Sequence, residues 1–199
     1  SVSFSINIER NAMQPEQFVR EYRKRSLETL QAISDGAMVT LIEVLDGART
    51  RGSQIFICGN GGSASTASHL ANDLGKGASL DAEIRFRALA LTDNLPWITA
   101  LANDNDYSSI FVEQLKNFAE PQDLLIAFSG SGNSPNVIKA VNWANQNGLV
   151  TVGLTGRREG ELGRIAQYPV FAESQHMGRI EEAHFLMQHL VAYYFMEGL

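Results

Sequence analysis

The 199-residue chain is 44% hydrophobic and 19% charged, with a net charge of −6; this is the profile of a globular protein long enough to bury a core. The negative balance excludes a nucleic-acid binder held by phosphate neutralisation, although a local cradle can still take an anionic ligand. One cysteine, Cys58, excludes an internal disulfide framework and fits a reducing, cytoplasmic compartment.

The opening SVSFSINIER has no basic region and no long apolar run, so no secretory leader is predicted. No window approaches the roughly 18 apolar residues of a membrane span. Two helices follow, over 15–33 and 36–51. The second carries Met38, Leu41, Ile42 and Leu45 at helical spacing, and Gly52 stops it. Apolar strands are then predicted at 54–58 (QIFIC), 86–92, 123–129 and 149–155, with a short fifth at 168–172. Helices are predicted over 63–75, 95–103, 107–118 and 134–147, a helical turn over 160–166, and a last helix over 179–196. Continuous apolar strands alternating with helices imply an α/β three-layer sandwich with a parallel sheet covered on both faces. Ligands of such folds collect at the carboxyl ends of the strands.

Two turns at that edge are rich in small residues. Asn60-Gly61-Gly62-Ser63 follows the first strand, and its glycines admit close backbone approach to a ligand at the start of a helix. FSGSGNSPN, 128–136, follows the third strand and offers the hydroxyls of Ser129, Ser131 and Ser134, with Pro135 at the helix start. Hydroxyls and helix-start amides make a phosphate site that needs no Lys or Arg. A third turn carries Arg157 and Arg158, which would add positive charge. Neither small-residue turn is a Walker A loop or a dinucleotide fingerprint. Tight Ser-capped turns are the plain alternative. One turn beyond the first cradle, His69 and Asp73 stand four apart, which puts them on one helix face about 6 Å apart, a catalytic or metal pair. Cys58, at the end of an apolar strand, reads as a buried inert thiol.

GNGGSA…HLANDL, FSGSGNSPNVIKA, LTG and RIEEAHFLMQHL together resemble the sugar isomerase (SIS) domain, and within it the sedoheptulose 7-phosphate (phosphoheptose) isomerase family. The likeness spans nearly the whole chain. It implies a single SIS domain, 1–199, with a five-stranded flavodoxin-like parallel sheet. It implies a homotetramer to which the helical pair within 1–51 contributes, with sites at subunit contacts. It implies phosphate binding by Ser129, Ser131 and Ser134, with Asn60, Gly61, Gly62, Asn103 and Asp104 near the sugar. It also implies a metal or catalytic set at His69, Asp73, Glu181 and His189, positions that hold zinc in some members. Four positions depart from the family pattern: Asp73 replaces a glutamate, Glu181 a glutamine, Gly130 a threonine and Gly178 an aspartate.

Aldose–ketose isomerisation moves a proton between two carbons and another between two oxygens, work suited to a carboxylate and an imidazole. Asp73 and His189 are the expected pair. Glu181 and His189, eight apart on one helix, are separated by about 12 Å along its axis and about 80° around it, long for one metal. Ser63 joins the substrate-binding set through the first turn. Plain readings remain for each residue: a helix-surface His69 or Asp73, a dipole-favoured Glu181, a core His189 and a packing His184. Trp97, Trp143 and the terminal YYF read as core or subunit contact, and REYRKRS, 20–26, as a solvated face. The leading function is a sugar-phosphate isomerase supplying heptose for lipopolysaccharide. The alternatives are a non-catalytic sugar-phosphate-binding or adaptor module, and the same chemistry on another ketose phosphate. Neither nucleic acid nor membrane is an expected partner.

Overall fold

A computed structural model describes residues 14–198; the SVSFSINIER segment lies outside the described residues. Two helices come first, α1 (Pro15–Gln31) and α2 (Asp35–Arg51). The Ser34 hydroxyl accepts from the Ala37 N–H to cap α2, and Gly52 closes it in the left-handed conformation at φ 71°. Five strands follow: β1 (Gln54–Cys58), β2 (Arg87–Ala90), β3 (Leu124–Ser129), β4 (Val150–Thr155) and β5 (Tyr168–Phe171). Between and after them run α3 (Gly62–Asn72), α4 (Leu95–Asp104), α5 (Val112–Phe118), α6 (Pro135–Gln146), α7 (Glu161–Ile165) and α8 (Met177–Glu197).

All strands pair in parallel, in the order β2-β1-β3-β4-β5. This is the flavodoxin-like order, and its switch point lies between β1 and β3. Strand alternation sends side chains to two cores. Ile55, Ile57, Leu124, Ile126 and Phe128 face one side, with α2, α3 and α8. Phe56, Cys58, Leu125 and Ala127 face the other, with α5 and α6.

Three predicted elements take a different form. The helix expected over 63–75 is α-helical only to Asn72 and continues as a π-turn, Asp73–Gly77. The segment 107–118 splits into a 3₁₀ turn, Tyr107–Ser109, and α5. Ser109 is fully buried there, and its hydroxyl donates to Asp106 at 2.8 Å, bending the chain before the helix can start. α8 begins at Met177, two residues before the expected start. There α1 docks on it: the Tyr22 hydroxyl donates to Glu182 at 2.7 Å, and the Arg179 guanidinium lies 5.4 Å from the Tyr22 ring.

Candidate functional site

The turns after β1 and β3 flank the switch point. Gly61, at φ 54°, turns the chain sharply into α3, which a residue with a Cβ does only under strain. A reciprocal amide pair joins the two turns: Asn60 Nδ2 donates to Asn136 Oδ1 at 2.9 Å, and Asn136 Nδ2 returns a bond to Asn60 Oδ1 at 2.7 Å. The Tyr107 hydroxyl donates to the same Asn60 oxygen at 3.0 Å. This brings the segment just after Asn103 and Asp104, both exposed at the end of α4, against the first turn. Asn136 and Tyr107 were not singled out from the sequence. Asn136 lay in plain view in the NSPN stretch, but its partner is 76 residues away; nothing local marks Tyr107.

In the serine turn the Ser129 hydroxyl donates to Ser134 at 3.1 Å, and the Ser131 hydroxyl accepts from the Asn133 N–H at 3.2 Å. Ser134 is the N-cap of α6 but its side chain caps nothing, which leaves hydroxyl and helix start facing the same turn. The first turn is different. A Cβ on Gly62 would lie 2.8 Å from Glu181 Oε1, so the Glu181 carboxylate already rests against the start of α3. Its charge suits that helix end and repels a second anion there. Of the two cradles, the serine turn is therefore the one open to a phosphate. Ser63 is buried beside the occupied one.

α3 and α8 run side by side in the same direction, Glu181 beside Gly62 and Met196 beside Gly77. Along this seam His69, Asp73 and His189 converge. Asp73 Oδ2 lies 3.2 Å from His69 Nε2 and 3.9 Å from His189 Nε2; the two Nε2 atoms are 3.4 Å apart. Asp73 is buried, and its Oδ2 finds no hydrogen-bond partner among the described residues despite this proximity. Phe185 covers both rings edge-on, at 5.1 and 4.5 Å, and Tyr193 meets His189 at 5.7 Å. Three members of the four-residue set implied by resemblance gather their donors here, while the Glu181 carboxylate rests two turns of α8 away from His189, against Gly62.

The donor set fits a divalent metal. Bonds of about 2.0–2.1 Å to a tetrahedral ion put neighbouring ligand atoms about 3.4 Å apart, close to the spacings found. An orphaned buried carboxylate oxygen is the second sign. The positive charge expected from the third turn is mostly spent elsewhere, since Arg158 pairs with Glu173 at 2.7 Å and stacks on Phe171. His184 is buried against the Phe128 ring, and neither ring nitrogen has a close hydrogen-bond partner among the described residues. Burial pushes it down to about 4, and the Thr155 backbone opposes this more weakly.

Two departures from the family pattern have structural counterparts. A Cβ at Gly130 would collide with Met177 Sδ, and one at Gly178 would come within 2.8 Å of the Tyr22 hydroxyl. In each case a side chain from another element fills the space that a threonine or an aspartate would need.

The SIS domain family model matches residues 17–156. The phosphoheptose isomerase of Helicobacter pylori strain P12 is 37% identical over 172 residues, 86% of this chain and 87% of that protein. Among solved structures, the phosphoheptose isomerase of Neisseria gonorrhoeae superposes with a TM-score of 0.82 at 27% identity, over 90% of this chain and 97% of that one. The enzyme from Francisella tularensis gives 0.80 at 26%, over 92% and 98%. With the flavodoxin-like sheet, the serine turn and the carboxylate between two imidazoles, this likeness over both chains leads to one assignment: the chain belongs to the SIS-domain family, in its phosphoheptose isomerase branch.

Proposed function

We propose that this protein interconverts sedoheptulose 7-phosphate and D-glycero-D-manno-heptose 7-phosphate, with Asp73 and His189 as its acid–base pair. The observation that carries the reading is the buried Asp73 carboxylate set between two imidazole nitrogens at 3.2 and 3.9 Å. The phosphate binds Ser129, Ser131, Ser134 and the start of α6. His69 lies seven residues into the helix from Gly62, about 10 Å along its axis. Asn60, Gly61, Gly62, Ser63, Asn103, Asp104 and Glu181 line the path between.

Asp73 takes the proton from the carbon next to the carbonyl and returns it to the neighbouring carbon. His189 moves the second proton between the two oxygens across the enediolate. Both steps need a group that gains and loses a proton cheaply and sits within hydrogen-bond reach. Phe185 and Tyr193 pack edge-on against the imidazoles and help hold their ring planes. Zinc would be held by His69, Asp73 and His189, and when bound it supplies Lewis-acid polarisation of the substrate carbonyl. The adaptor reading is not favoured, because acid and imidazoles are both present and adjacent. We place the protein in the cytoplasm, as a homotetramer with sites at subunit contacts, supplying heptose for lipopolysaccharide. The reducing-compartment reading of Cys58 and the exposed apolar faces support this. No helix among the described residues is long and apolar enough to cross a membrane.

The test is incubation with sedoheptulose 7-phosphate in deuterated water, with and without zinc, following deuterium at C2 and aldose formation. Turnover that disappears in Asp73→Ala and His189→Ala is the expected result. Undiminished turnover in Asp73→Ala overturns the acid assignment, and absence of exchange under every metal condition overturns the activity.

A further inference from the structure

Asp73 stands where the α-helix gives way to the π-turn. The Ala78 N–H bonds the carbonyl of Asp73, five residues back, at 2.8 Å. In a continuing α-helix that N–H would serve Leu74 instead. The Leu74 carbonyl is therefore orphaned, and Leu74 is fully buried. An unpaired buried carbonyl is costly, and water cannot relieve it there. Ser79, also fully buried, supplies the partner: its hydroxyl donates to Leu74 O at 2.7 Å and accepts from the Phe86 N–H at 2.9 Å. One side chain thus completes the wide turn and ties it to the chain entering β2. The far end of the turn is pinned as well, since Gly77 packs so tightly under Met196 of α8 that a Cβ would collide with it.

We propose that Ser79 is a positioning residue for Asp73, acting through this π-turn; the proposal rests on the reading of Asp73 as the acid of the site. Without the hydroxyl, the least costly repair returns the Ala78 N–H to Leu74 and tightens the turn to an α-helix. That shifts the register by one residue, about 1.5 Å along the axis. Met196 holds the Gly77 end, so the displacement falls on Asp73. The carboxylate then leaves its place between His69 and His189.

Purified full-length Ser79→Ala is compared with wild type for kcat and KM on sedoheptulose 7-phosphate, and for zinc affinity against a chelating indicator. The expected result is a kcat reduced roughly 100-fold, the penalty of an ångström-scale misplacement. KM stays within about twofold, because the serine turn is untouched, and zinc binds roughly 10- to 100-fold more weakly. A second variant separates positioning from stability. Gly75 is exposed in the turn with open space around it, so Gly75→Ala added to Ser79→Ala raises helix stability without supplying the missing donor. The double variant is expected to regain thermal stability and remain slow. Wild-type kcat and zinc affinity in folded Ser79→Ala, or recovery of both in the double variant, overturns the proposal. Asp73→Ala runs alongside: if it leaves kcat and zinc affinity unchanged, the acid reading itself fails and takes the role of Ser79 with it.

Discussion

Aspartate reaches one methylene less far than glutamate, so a site built on Asp73 needs its backbone close to the imidazoles. The 3.2 Å approach to His69 shows that the shorter side chain gets there. The other departures follow the same logic of local exchange. Gly130→Thr forces a side chain into Met177 Sδ and towards Ile180 Cγ2 at 3.5 Å, an overpacking expected to cost about 1–3 kcal/mol. Combined with Met177→Ala, most of that cost should vanish, and a double-mutant cycle in urea should show coupling of roughly 0.5–3 kcal/mol. Additive effects would mean that the two positions are independent. Cys58 gives a simpler test. It is fully buried, and burial pushes its thiol up to about 12. A thiol reagent should leave it unmodified in the native protein and label it fully in denaturant.

Among the elements, α8 carries most of what joins fold to site: Glu181 against α3, His184 against β3, His189 in the trio. The neutral, buried His184 makes stability depend on pH. Its folded-state value of about 4 lies below the ordinary 6.5, so between these values the unfolded chain binds more protons. Stability is then fully present above about pH 6.5 and is lost as the pH falls towards 4. Unfolding free energies from urea titrations near pH 7 and near pH 5 should differ by about 2 kcal/mol from this residue, and His184→Leu should remove that part of the slope. An equal slope in the variant would assign it to other groups. Most elements were legible in the sequence, because apolar runs and helical spacing are local signals. The switch-point turns were legible through their composition, and the His69–Asp73 pair through its spacing. The π-turn was not, since nothing within DLGKG distinguishes it from an α-helix; the Ser79 bond to the Phe86 N–H and the Met196 contact decide it. The setting of Glu181 was hidden for a similar reason. Its distance from His189 could be computed along one helix, but its pairing with Gly62 depends on how two helices lie together.

The whole molecule leaves much apolar surface uncovered. α4 has no buried residue, Leu95 on it is 65% exposed, and Phe185, Leu190 and Tyr193 form an open stripe on α8. Faces of this kind mark association surfaces. Leu95→Glu should therefore shift sedimentation towards smaller species and lower activity with it, while changing the stability of the isolated fold by only about 0.5 kcal/mol. Unchanged assembly would release α4 from that role. One consequence lies in the order in which the chain is made. His69 and His189 touch across 120 positions, and the strands of the sheet all precede α8. During synthesis the sheet and both switch-point turns can emerge while the residues after 176 are still being added. A nascent chain at that stage has its cradle but lacks its second imidazole, and the face that α8 will cover is bare. The meeting of His69, Asp73 and His189 is thus a late event in the life of each molecule, and the interval before α8 docks is when the chain most needs protection from its neighbours.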